Sequence, residues 1–134
     1  MVITEKTISM TIAGDLKKVL SDLKNDRGVE ASAVVSRNGI PIAWELPDNI
    51  HMETFSTLSA TIMGASDVVC SSIEKEPPER VIIQSRSNVI VLTGLGSKAL
   101  LVAVAAGTDT EKIVNSVDES AQKIREVLKN DKGA

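Results

Sequence analysis

The sequence predicts an α/β domain, an α+β sandwich, and three observations carry that expectation. Residues 28–47, GVEASAVVSRNGIPIAWELP, are two apolar runs joined by Arg37-Asn38-Gly39, the pattern of an antiparallel hairpin closed by a turn whose residues accept positive φ. From about Asn49 to Lys75 the chain has no proline, and Phe55, Leu58, Ile62, Ala65, Val69 and Ile73 recur at spacings of three and four, the signature of one helix face. After Pro77-Pro78 come three more strand runs, VIIQS, NVIVLTGL and KALLVAVA.

The remaining elements lie at the ends. Residues 2–12, VITEKTISMTI, partly alternate, and a strand, a helical extension and an arm are equally open for them. Asp15 suits the N-cap of a helix that turns Leu16, Val19, Leu20 and Leu23 inward, and Gly28 suits the left-handed residue that ends it. Beyond the last strand, Thr110 is placed to cap a helix with Ile113, Val117, Ala121, Ile124 and Leu128 along one stripe. Lys112, Asp118, Glu119, Lys123 and Glu126 then face water. Residues 13–129 therefore read as a single domain, with residues 1–12 as an N-terminal extension of open structure and 130–134 as a tail.

Composition narrows the function. With 134 residues, 43% hydrophobic and 25% charged, the chain suits one globular domain. Its one cysteine, Cys70, cannot form an internal disulfide or a cysteine-rich metal site, which is compatible with a reducing, cytoplasmic setting. The N-terminus lacks the basic-then-apolar order of a secretory signal. No apolar run approaches the roughly 20 residues of a membrane helix, so membrane insertion is not expected. A net charge of −3 and only Trp44 and Phe55 as aromatics leave neither the basic field nor the stacking surfaces of a nucleic-acid binder.

No constellation of residues points to catalysis, a metal or a cofactor. Gly94-Leu95-Gly96-Ser97-Lys98 has the wrong order for a phosphate loop and precedes a strand instead of a helix, so it reads as a hairpin turn. His51 is the only histidine and has no metal-binding partner motif. Cys70 lies between Val69 and Ser71 without a neighbouring base, which suits a small apolar contact better than a nucleophile.

The long helix carries a second seam at Met52, Ser56, Ser59, Met63, Ser66 and Cys70. Small residues there allow close approach and methionine adapts to varied partners, yet periodicity alone leaves wide core and interface equally open. The strand from Arg80 to Ser85 raises the same question. Val81, Ile82 and Ile83 are consecutively apolar, whereas unpaired edge strands usually carry charge or proline. Pro41 marks the run from Ile40 to Glu45 as an edge that can spare a donor.

The runs GVEASAVVSRNGIPIAWELP, METFSTLSATIMGASDVV and PPERVIIQS…VIVLTGLGSKALLVAVAAGTD together resemble the roadblock (dynein light chain roadblock-type) domain in its prokaryotic form, over roughly Asp15 to Leu128. The resemblance implies a five-stranded antiparallel sheet ordered 2-1-5-4-3, the long helix on one face and the two terminal helices on the other. It also implies a dimeric platform that binds or regulates a Ras-like small GTPase, or assembles a larger complex. On that implication the dimer and partner interface falls to the second seam, Met52, Ser56, Ser59, Met63, Ser66 and Cys70, and to the open edge, Arg80, Val81, Ile82 and Ile83. The expected partners are a second copy or a related chain, and the GTPase. The alternative is a small-ligand sensor of related α/β sandwich architecture with its pocket between sheet and helix, a reading weakened by the missing aromatics.

Overall fold

The computed structural model describes residues 2–130. In chain order it contains α1 (Val2–Arg27), β1 (Val29–Ser36), β2 (Pro41–Glu45), α2 (Met52–Ser72), β3 (Arg80–Gln84), β4 (Asn88–Gly94), β5 (Ala99–Ala106) and α3 (Thr110–Asn130). The five strands form one antiparallel sheet in the order β2-β1-β5-β4-β3, the expected topology. Helices α1 and α3 cover one face, where Leu16, Leu20, Val34, Leu101, Val117 and Ile124 share a core. Helix α2 lies on the other face, where Ala60 and Met63 meet Ala33, Val35, Leu100 and Val102.

Local chemistry explains the boundaries and corrects several of them. Residues 2–12 take the helical alternative and run into α1 without a break, so Asp15 lies inside a helix and is not its N-cap. Gly28 ends α1 at φ 70°, a conformation that costs an L side chain energy. In the β1–β2 loop only Gly39 adopts positive φ. Gly39 N–H donates to the Ser36 carbonyl and Ser36 N–H to that of Ile40. This is a three-residue loop ending on a left-handed glycine, not a two-residue turn with both central residues left-handed. At α3 the cap is Asp109, whose Oδ1 accepts from the Lys112 N–H at 3.2 Å, one residue before the expected Thr110. The stripe from Ile113 to Leu128 does face inward, with Val117, Ala121 and Ile124 fully buried. Gly94 to Lys98 is a turn between antiparallel strands. The expected tail closes α3 at Asn130, and its remainder, 131–134, lies outside the described residues.

The largest departure concerns the two faces of α2. Leu58, Val69 and Ile73, expected inward, are 56%, 61% and 61% exposed, while Ser56, Ser59, Ala60 and Met63 are buried. The second seam is thus the side that packs on the sheet, and the more apolar stripe turns outward. Two physical facts permit this. Small side chains let the helix axis approach the sheet closely, and Met63 fills the gap that remains. Serines removed from water are also tolerable on a helix because they donate back to its own carbonyls: Ser59 Oγ to Phe55 O at 2.7 Å and Ser66 Oγ to Met63 O at 2.7 Å. Ser56 Oγ has no partner among the described residues.

Candidate functional site

The feature that stands out is an apolar surface on the α2 side of the sheet. Helix α2 packs chiefly over β1 and β2, leaving the part of the sheet formed by β3 and β4 only partly covered. There Val81, Ile83 and Ile90 are half-buried, together with Phe55 and Ile62 from α2. Leu58, Ala65, Val69 and Ile73 continue this surface along the outer side of the helix. A row of large apolar residues at one face of a helix, beside an incompletely covered sheet, is the surface expected of an interaction site.

Strand β3 bounds that surface. It pairs with β4 on one side only, and Ile82 is 42% exposed. No charge, bulge or proline lies within its Arg80–Gln84 stretch to discourage pairing except Arg80 at its start. The opposite edge, β2, begins with Pro41 and carries a register shift between Val34 and Val35 of its neighbour, devices that blunt an edge.

Two arginines brace this side of the molecule. Arg37, in the β1–β2 loop, donates through Nη1 to Asp67 of α2 at 3.2 Å and through Nη2 to the Gly96 carbonyl at 3.1 Å. It ties helix, hairpin and β4–β5 turn together. Arg80 donates through Nη2 to both carboxylate oxygens of Asp118 on α3, at 3.1 and 3.0 Å, fixing the start of β3 to the far helix. The turn at Gly39 also approaches α2 closely, since a Cβ there would lie 3.2 Å from Thr57 Cα.

The residues singled out in the sequence separate accordingly. Ser56, Ser59 and Met63 face the sheet, so the reading of them as an outer face is corrected. Met52, Ser66 and Cys70 flank them, half-buried. Arg80, Val81, Ile82 and Ile83 do lie on an open edge. His51 is the N-cap of α2, its Nδ1 accepting from the Thr54 N–H at 3.4 Å. Among the described residues no group of three or more His, Cys, Asp and Glu is arranged to hold a metal, and no helix is long and apolar enough to cross a membrane. Four cavities among the described residues are bordered by α3. The outward stripe Leu58–Val69–Ile73 was visible in the sequence as a stripe. The signal for its direction was the serine content of the opposite seam, which suits close packing.

Comparison with known proteins agrees with this architecture. Three uncharacterized proteins of Methanocaldococcus jannaschii match over 110 residues at 24–26% identity, covering 82% of this chain and 93–96% of theirs. Among solved structures, Myxococcus xanthus MglB superposes with a TM-score of 0.83 at 16% identity, covering 88% of this chain and 90% of that one. The gliding protein MglB of Thermus thermophilus gives 0.80 at 16%, covering 89% and 92%. A Roadblock/LC7 domain of Streptomyces avermitilis gives 0.69 at 15%, covering 85% and 98%. At such identities these structures establish the shared fold. The family model for the Roadblock/LC7 domain matches residues 15–105, and with the sheet order and helix placement in agreement, the chain belongs to the Roadblock/LC7 family.

Proposed function

We propose that the chain is a non-enzymatic, dimeric adaptor that binds a Ras-like small GTPase in the cytoplasm and modulates its nucleotide state or assembly. The observation that carries this reading is the pairing of an open β3 edge with the outward apolar stripe of α2, in a chain of the Roadblock/LC7 family. Two copies, or this chain and a related one, would join β3 to β3 and extend the sheet, each α2 covering the partly bare face over the other's β3 and β4. The stripe left at the seam between the two helices would receive the GTPase. The dimer and partner interface together is accordingly assigned to Leu58, Ile62, Val69 and Ile73 with Arg80, Val81, Ile82 and Ile83.

Regulation would work by differential affinity for the two nucleotide states, because a ligand shifts an equilibrium only to the extent that it binds the states unequally. Arg37 and Arg80 are both engaged, with Asp67 and Asp118 respectively, so neither of these two is free to be supplied to the GTPase reaction. A pull-down of Ras-like GTPases from the same cell, each loaded with GDP or a GTP analogue, tests the reading. Binding that prefers one state and is weakened by Leu58→Arg is expected. Absence of binding to any candidate in either state would contradict it.

A further inference from the structure

We propose that a groove on the opposite side of the molecule, between β2, the β4–β5 turn and the last turns of α3, docks an acidic amphipathic segment of a second partner protein. The groove has a volume of about 790 Å³, and its floor is apolar: Ile42, Leu95, Ala99 and Leu128. Its rim is cationic, formed by Lys98, Arg125 and Lys129, and none of the residues lining it is acidic.

The lining stands out in its sign. Acidic residues outnumber basic ones in the chain, 18 to 15, yet three cations and no carboxylate line this groove. Around this groove no carboxylate among the described residues pairs with Lys98, Arg125 or Lys129. Arg125 makes its contacts to neutral groups, the Gly94 carbonyl at 2.9 Å and Gln122 Oε1 at 3.4 Å. Three cations around an apolar floor suit a ligand with carboxylates flanking apolar side chains. Gly96, Ser97, Lys98, Arg125 and Lys129 are all exposed, so the groove is open along its length. An open trough of this kind suits a helix or extended segment laid into it, with apolar anchors below and charges at the rim, and would not enclose a small molecule as binding pockets do.

The site is independent of the GTPase reading. Ile42, Leu95 and Ala99 pack with the α1 and α3 core, whereas the α2 stripe lies across the sheet, so both surfaces are available at once.

The test uses the full chain and a fluorescein-labelled helical peptide with leucines along one side and glutamates beside them, read by anisotropy. A counterpart with lysine in place of glutamate is the control. Saturable binding of the glutamate peptide is expected. It should weaken at least tenfold in the Lys98→Glu, Lys129→Glu double variant and severalfold with Leu128→Ala. An equally charged double variant outside the groove, Lys75→Glu with Lys112→Glu at the other end of α3, should bind as the unaltered chain does. Circular dichroism on each variant verifies the fold, and all four lysines are exposed. Equal binding of the lysine peptide, or equal loss in both double variants, would overturn the proposal. So would association with phosphatidylglycerol vesicles that depends on Lys98 and Lys129 when the peptide does not bind, which would assign the groove to a membrane surface.

Discussion

Met63 and Val69 occupy the same helix with opposite surroundings, and the contrast makes the residue-scale test sharp. Met63 is fully buried between Ala33, Val35 and Leu100, whereas Val69 is 61% exposed. Met63→Glu should destabilise by about 4 kcal/mol, because an unpaired charge would have to be buried or neutralised. Val69→Glu should stay within about 0.5 kcal/mol in the protomer yet abolish the dimer. Thermal melting followed by size-exclusion chromatography separates these outcomes. Equal unfolding by both would mean that the outward stripe is needed to hold the protomer itself. Arg37 offers a second test. Its alanine variant loses the contacts to Asp67 and the Gly96 carbonyl, and since the pair is partly solvated the cost should be about 1–2 kcal/mol. That corresponds to a melting temperature lower by about 5 °C. Gly94→Ala should act in the same direction more weakly, because its Cβ would lie 3.1 Å from Arg37 Nη2 and push the guanidinium aside.

At the scale of elements, the sequence was legible wherever local chemistry and period agreed. The hairpin of Ser32–Ser36 with Ile40–Glu45, the stripe of α3 and the glycine stop of α1 follow from turn residues and spacing, and the sheet order from the resemblance. The direction of α2 was not legible in the same way. A helix with an apolar stripe on one side and a small, serine-rich seam on the other satisfies periodicity whichever side meets the sheet. The choice depends on how closely the sheet can be approached, a tertiary property. Asp67 belongs to this lesson: it sits near the inward side of α2 and is accommodated by Arg37, a partner 30 positions earlier in the chain. Residues 2–12 were ambiguous because their alternation is broken, and they extend α1. For β3, the apolar run was readable as an edge in want of a neighbour. Ile82→Lys places a charge on that edge, so it should leave the melting temperature of the protomer nearly unchanged while shifting the chain to monomer in sizing experiments.

The whole molecule is a sheet with two unequal faces. The face under α1 and α3 holds the larger core, from Leu16 to Ile124, while the α2 face is covered over β1 and β2 and thinly over β3 and β4. A second copy brought edge to edge along β3 would supply the missing cover, in an isologous arrangement where each surface meets its own kind. It would also bury part of the apolar row that a lone protomer exposes. On the proposed function, the dimer would be the step on which GTPase binding depends. The measurement that tests it most directly is the mass in solution by multi-angle light scattering, at micromolar concentration, for the unaltered chain and for Val69→Glu. The account predicts twice the chain mass of 14.2 kDa for the first and a single chain mass, with an intact fold, for the second. A single chain mass for the unaltered protein across that range would contradict it.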